Sequence, residues 1–214
     1  MIQSGKILGV YYSTSGSNSE SNDLQSNMNH LNNHLNPASI EPWFITGFTD
    51  GEGCFIISIS RSNKYSSGWT VKPSFKITLH QKDLVLLQQI KNFFGVGSIY
   101  KQGLLSNQYC VTSVEYLAVV INHFEKYPLN TKKWVDYLLF KKAIRLIQQK
   151  KHLTKQGLRK IVAIRASMNL GLSDDLKTAF PKITPVSRSG VLDYNLKDPH
   201  WCRRIYHCWG LFFC

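Results

Sequence analysis

Apolar and polar positions follow two rhythms along this chain, and the switch between them marks out its elements. From 70 to 79, Val71, Pro73, Phe75, Ile77 and Leu79 alternate with Thr70, Lys72, Ser74, Lys76 and Thr78. A period of two predicts a strand with one face in the core and a polar face that carries lysines. The run before it behaves alike, with Phe55, Ile57 and Ile59 inward and Ile56, Ser58 and Ser60 outward. A polar, basic turn over 63–69 joins the two. Upstream, 41–50 reads as a short apolar helix, with Pro42 placed where its missing N–H costs little and Gly51 and Gly53 ending it. Leu84, Leu87, Ile90 and Phe94 recur at helical spacing and predict a helix over 83–94, broken by Gly95-Val96-Gly97. Ser98–Tyr100 and Asn107–Thr112 predict a second strand pair, with Tyr109 and Val111 inward and Gln108, Cys110 and Thr112 outward. A helix over 115–124 follows, and after Pro128 the period stays helical to about Leu170. The expected class is α+β.

Charge sharpens this picture. The 214 residues carry 26 Lys and Arg against 13 Asp and Glu, a net charge of +13. Residues 1–40 hold Lys6 as their one basic residue and are rich in Ser and Asn, which predicts a disordered leader. The excess therefore belongs to the part expected to fold, and 126–165 alone hold 12 basic residues against the single acid Asp136. Such a surface favours a polyanionic partner, with nucleic acid ahead of an anionic membrane surface. No run is long and apolar enough for a membrane span, and with nucleic acid as the leading candidate no membrane partner is expected. The leader has neither a secretory pattern nor the Arg of a transit peptide. Cys54, Cys110, Cys202, Cys208 and Cys214 form no CxxC pair, and His200, Cys202, His207 and Cys208 match no usual zinc spacing.

Chemistry concentrates at the end of the first helix. Gly47 and Gly51 lie four apart on one face, a spacing that lets another helix approach closely. Glu52 follows between two glycines, and its carboxylate with the Gly51 carbonyl would suit a hard divalent cation such as Mg2+. Taken alone, Asp50-Gly51-Glu52-Gly53 is a weak signal, explained more often by a helix C-cap and turn.

The segment Ile45-Thr46-Gly47-Phe48-Thr49-Asp50-Gly51-Glu52-Gly53 resembles the nonapeptide that names the LAGLIDADG homing endonucleases. Its flanks, Pro42-Trp43-Phe44 and Cys54-Phe55, resemble the fungal mitochondrial intron-encoded branch, as do 77–83, 123–129 and 150–155. The likeness runs over about 41–201. It implies a homing-endonuclease half-domain (αββαββα) over 41–182, with a curved antiparallel four-stranded sheet and extra C-terminal basic helices. The implied function is site-specific, divalent-metal-dependent hydrolysis of double-stranded DNA, with Mg2+ as the expected cofactor. Glu52 would be the catalytic and metal-binding acid, Gly51 a second metal ligand, and Gly47 and Gly51 the helix–helix contact. Asp50 would brace the helix. The polar sheet face would read DNA through Ser58, Ser60, Lys64, Lys72, Ser74, Lys76, Thr78, Tyr100 and Gln108. An assisting basic residue is also implied, and the sequence does not single it out. Each half-domain brings one acid, so cleavage of both strands calls for a homodimer or a second half-domain. Two rival readings stand beside this one: a maturase that binds intron RNA, and a non-cleaving nucleic-acid-binding remnant. Mitochondrial location follows from the same resemblance.

Residues 183–214 read as a linker and the truncated start of a second motif, entered at Pro199-His200-Trp201. From Cys202 to Cys214 no amphipathic pattern remains. Shifting a plausible set of codons for this tail by one base, with TGA read as Trp, gives Gly-Phe-Ile-Thr-Ala-Glu-Gly-Cys-Phe-Phe. The expectation is a frame-shifted two-motif protein.

Overall fold

A computed structural model describes residues 40–188. Residues 1–39 of the leader expected over 1–40, and residues 189–214 with the expected frame-shifted second motif, lie outside the described residues. No helix among the described residues is long and apolar enough to cross a membrane. The elements run α1 (Pro42–Glu52), β1 (Gly53–Arg61), β2 (Trp69–His80), α2 (Leu84–Phe94), β3 (Ser98–Gln102), β4 (Ser106–Val111), α3 (Val114–Lys126), α4 (Lys133–Gln148), α5 (Lys155–Ala166) and α6 (Asp174–Ala179). Short 3-10 turns, Gln81–Asp83 and Lys151–Leu153, precede α2 and α5. The helix-strand-strand order expected from periodicity is thus present twice, with α3 completing the expected unit before the basic helices begin.

The four strands form one antiparallel sheet in the order β1-β2-β4-β3. Register follows the alternation: Phe55 pairs with Phe75 and Ile57 with Pro73, so the apolar sides of β1 and β2 face the same way. Pro73 sits where β2 has β1 on one side and no β4 on the other, because pairing with β4 begins at Phe75↔Val111. A residue without an N–H is tolerated at such a place.

The apolar face is covered by α2, α3 and α4. Phe55 lies at the centre, with ring contacts to Phe75, Phe124, Tyr137 and Phe140 at 5.2 to 5.6 Å. It is 1% exposed, and truncating such a ring costs about 3–5 kcal/mol. Gly95 ends α2 in the left-handed conformation, at φ 66°. Thr154 caps α5 by accepting the Gly157 N–H at 3.1 Å. At Gly157 the helix meets the preceding turn so closely that an added Cβ would lie 1.9 Å from the Lys151 carbonyl oxygen.

The chain after α5 stays on the domain. Val186 donates its N–H to the Ala163 carbonyl at 3.3 Å, Ser167 Oγ donates to the Val186 carbonyl at 2.6 Å, and Ile183 and Val186 pack on the core. Residues 183–188, the start of the expected linker, are tied down on the domain.

Candidate functional site

The end of α1 is held by three separate attachments, all to the chain between 123 and 133. Thr46 donates its hydroxyl to the Tyr127 carbonyl at 2.8 Å and lies 3.2 Å from His123 Nε2. Since the single hydroxyl proton goes to Tyr127, the histidine Nε2–H must donate to Thr46, which sets the tautomer. Asp50 accepts the Asn130 N–H at 2.9 Å and the Thr131 hydroxyl at 2.6 Å, so it does brace the helix, against the chain that enters α4. Burial raises the Asp50 pKa, and these hydrogen bonds with the Lys133 charge oppose the rise. Glu52, the last residue of α1, is exposed and carries no partner of this kind among the described residues.

The third attachment is a residue the sequence did not single out. Lys133 Nζ donates to the Thr49 carbonyl at 2.9 Å and to the Gly51 carbonyl at 3.0 Å. Those carbonyls belong to the last turn of α1, whose negative end attracts a cation; Thr49 also accepts the Gly53 N–H. Burial lowers the Lys133 pKa, while Asp50, Glu52 and Asp136 act to raise it. The signal in the sequence was a Lys132-Lys133 pair, which cannot tell which lysine turns inward; contact across 82 residues decides it.

This changes the reading of Gly51. Its carbonyl, expected as a second metal ligand, already accepts Lys133, which leaves one lone pair for a cation. Among the described residues no group of three or more His, Cys, Asp or Glu could hold a metal ion. An exposed carboxylate with one shared carbonyl fits a hard cation that keeps several waters, and does not fit an all-protein cage.

At 100° per residue, Phe44, Gly47, Phe48 and Gly51 share the side of α1 opposite Ile45 and Thr49. Phe44 and Phe48 stack at 5.6 Å, Gly47 is buried and Gly51 exposed.

The polar sheet face begins beside this end. Three rows cross it: Cys54-Lys76-Cys110-Ser98, then Thr78-Gln108-Tyr100, and Ser58-Lys72. Ser58, Ser60, Lys72, Thr78 and Tyr100 are exposed, Lys76 and Gln108 half-buried. Gln108 Nε2 donates to Thr78 Oγ1 at 2.8 Å, so part of its amide is already committed. Two candidates stand apart from this set. Lys64 is exposed but sits in the β1–β2 turn, off the sheet face, because the strands end at Arg61 and Trp69. Ser74 points to the polar side opposite Ile56 yet is only 5% exposed. It lines a hollow of about 610 Å³ with Ser58, Lys72, Lys76, Cys110 and Thr112. Ser74 is thus recessed beneath its neighbours on the polar side, beside the point where β4 leaves β2 on the way to α3.

Comparison with known proteins places this arrangement. Residues 45–144 match the model of the LAGLIDADG endonuclease family. A Neurospora crassa protein named "Probable intron-encoded endonuclease 3" is 44% identical over 168 residues, which is 76% of this chain and 31% of that protein. The crystal structure of the LAGLIDADG meganuclease I-CpaMI bound to uncleaved DNA superposes with a TM-score of 0.74 at 46% identity, covering 78% of this chain and 58% of that one. I-SmaMI bound to an uncleaved DNA target in the presence of calcium ions superposes with a TM-score of 0.74 at 43% identity, covering 78% and 57%. The chain thus spans about a third of this Neurospora crassa protein and under three fifths of these solved chains. The motif at α1, the antiparallel sheet with its polar face, and these matches together establish that the chain belongs to the LAGLIDADG endonuclease family.

Proposed function

We propose that this domain is one half of a site-specific DNA endonuclease, in which Glu52 is the catalytic acid and the polar face of the sheet lies in the major groove. The observation that carries this reading is the placement of Glu52: an exposed carboxylate at the end of a helix braced from one side by Asp50 and Lys133, and flanked by a lysine-bearing sheet face. Strands in a major groove present alternate side chains to base edges. Lys72, Lys76, Ser58, Ser60, Thr78, Tyr100 and Gln108 are the residues so presented. Lys64, on its turn, reaches a phosphate.

Glu52 and the free lone pair of Gly51 would hold a divalent cation, Mg2+ in the cell, which when bound supplies Lewis-acid polarisation of the scissile phosphate. The protein's own part is positional. Asp50 and Lys133 keep the end of α1 rigid, and the Lys133 ammonium places positive charge where a phosphate oxygen gains negative charge in the transition state. A second acid comes from another copy of α1, in a homodimer or in a second half-domain, met across Phe44, Gly47, Phe48 and Gly51. The protein acts in the mitochondrion, in keeping with its resemblance to fungal mitochondrial intron-encoded proteins.

The test starts from a randomised duplex library. Duplexes retained by the full-length chain are cloned into a supercoiled plasmid and incubated with Mg2+ or EDTA. The expected result is nicking or cleavage with Mg2+ only, reduced at least about 100-fold by Glu52→Gln or Lys133→Met with binding retained. Cleavage that survives Glu52→Gln overturns the assignment.

One observation favours a second reading, RNA binding in support of intron splicing. Lys142, Arg145, Lys150, Lys151, Lys155, Arg159 and Lys160 are exposed on the helices behind the sheet, and α4 packs on the apolar face through Tyr137 and Phe140. Intron RNA retained by Lys72→Ala/Lys76→Ala but lost on neutralising the α4–α5 lysines would support it.

A further inference from the structure

One turn beyond Lys133 on α4 stands Asp136, and its carboxylate has an unusual set of partners. The side chain is 15% exposed. Its Oδ1 accepts Arg188 Nη1 at 2.8 Å and the backbone N–H of Asn169 at 3.3 Å. Arg188 also donates to the Ser167 carbonyl. Asn169, in the left-handed region at φ 49°, reaches the other way: its Nδ2 donates to the Phe55 carbonyl at 2.9 Å, and Cys54 Sγ lies 4.0 Å from its Oδ1. A stretch of chain from 167 to 188 therefore hooks onto the first residues of β1, just after Glu52, and onto the first turn of α4, which carries Lys133.

The arrangement solves an electrostatic conflict. Residues three apart on a helix are neighbours, and a carboxylate so placed attracts a lysine ammonium. A charge-assisted bond to a carboxylate is stronger than a bond to a neutral carbonyl. Left to itself, Asp136 would draw Lys133 away from Thr49 and Gly51. Arg188 meets Asp136 instead, with a guanidinium that makes a second bond to Ser167 at the same time. We propose that Arg188 is a positioning residue: by occupying Asp136 it keeps the Lys133 ammonium on the α1 carbonyls beside Glu52. The cleavage arm of the test rests on the endonuclease reading; the spectroscopic arm does not.

The test uses the full-length chain labelled with 15N-lysine. A side-chain ammonium bonded to two backbone carbonyls gives an Nζ–H signal distinct from solvated lysines, and its disappearance in Lys133→Arg assigns it. In Arg188→Ala the Lys133 signal is expected to shift or broaden. Arg188→Lys restores it in part, and Arg188→Ala/Asp136→Asn restores it fully, because the competing charge is gone although the clasp is not rebuilt. A purely structural role for Arg188 gives no such rescue. Asp136→Asn alone, which breaks the ion pair without exposing a charge, leaves the Lys133 signal as in the parent. Should Arg188→Ala fail to fold, the Asp136→Asn result still decides: a displaced Lys133 signal there overturns the proposal. So does an unchanged signal in folded Arg188→Ala. On a selected target plasmid with Mg2+, Arg188→Ala is expected to lower turnover about 10-fold at unchanged duplex affinity. A parent chain that never cuts, combined with the expected Lys133 behaviour, overturns cleavage by this chain on its own and leaves the positioning role standing.

Discussion

His123 makes the stability of this domain depend on pH in a calculable way. The ring is buried at 8% exposure among Phe93, Phe94, Phe124 and Tyr127, and its one polar contact is with Thr46. Burial pushes its pKa down from 6.5 to about 4. The unfolded chain therefore binds a proton at a pH where the fold refuses it. The neutral ring's contribution is fully present above about pH 6.5, is lost as pH falls, and stops changing below about pH 4. The difference corresponds to about 3 kcal/mol in total, of which somewhat under half is gone by pH 5.5. Urea midpoints measured from pH 7.5 to 4.5 on the parent and on His123→Gln check this. Other groups titrate in both proteins, so the quantity of interest is the difference in slope, about 1 kcal/mol per pH unit near pH 5. Equal slopes would mean that the ring is solvated or charged in the fold, and the argument from burial would fail. The consequence reaches the site, because the Thr46 contact ties α3 to the helix that ends in Glu52.

Three further outcomes are expected. Gly53→Ala places a Cβ 2.4 Å from Thr49 Cγ2 and 2.9 Å from the Thr49 carbonyl oxygen, so it should cost about 1–3 kcal/mol in denaturant unfolding; a neutral result would show that α1 can shift freely against β1. Asp50→Ala orphans the Asn130 N–H, which should cost about 1–3 kcal/mol and slow cleavage more than binding, read from urea midpoints and single-turnover kinetics. Lys64→Ala should weaken duplex binding for all sequences alike and lower the slope of log K against log salt by about 1, whereas Lys72→Ala and Lys76→Ala should each relax sequence preference at one position of the selected target; unchanged preference would take that lysine out of the groove.

The elements of this domain are written in its local pattern. Alternation over 70–79 could be satisfied only by a strand with Phe75 and Ile77 inside, and both are fully buried. Helical spacing through Leu87, Ile90 and Phe94 likewise has one apolar side to bury. Side-chain period is a property of neighbouring residues, so it can be read without knowing the fold. Ser74 marks where that reasoning stops: the same alternation that turns it to the polar side says nothing about β4 pairing with β2 only from Phe75 onward.

Long-range choices were not legible. Lys132 and Lys133 are equivalent in sequence, and only the approach of α4 to the last turn of α1 selects Lys133. Asp136 reads as a lone acid in a basic stretch until Arg188 is brought across 52 residues to meet it. The sequence by itself determined the order of elements, the inward faces, the positive charge and the motif that ends in Glu52. The tertiary structure decided which charges meet there, because electrostatic and hydrogen-bond partners are set by distance in space, and distance in space depends on how the apolar faces pack.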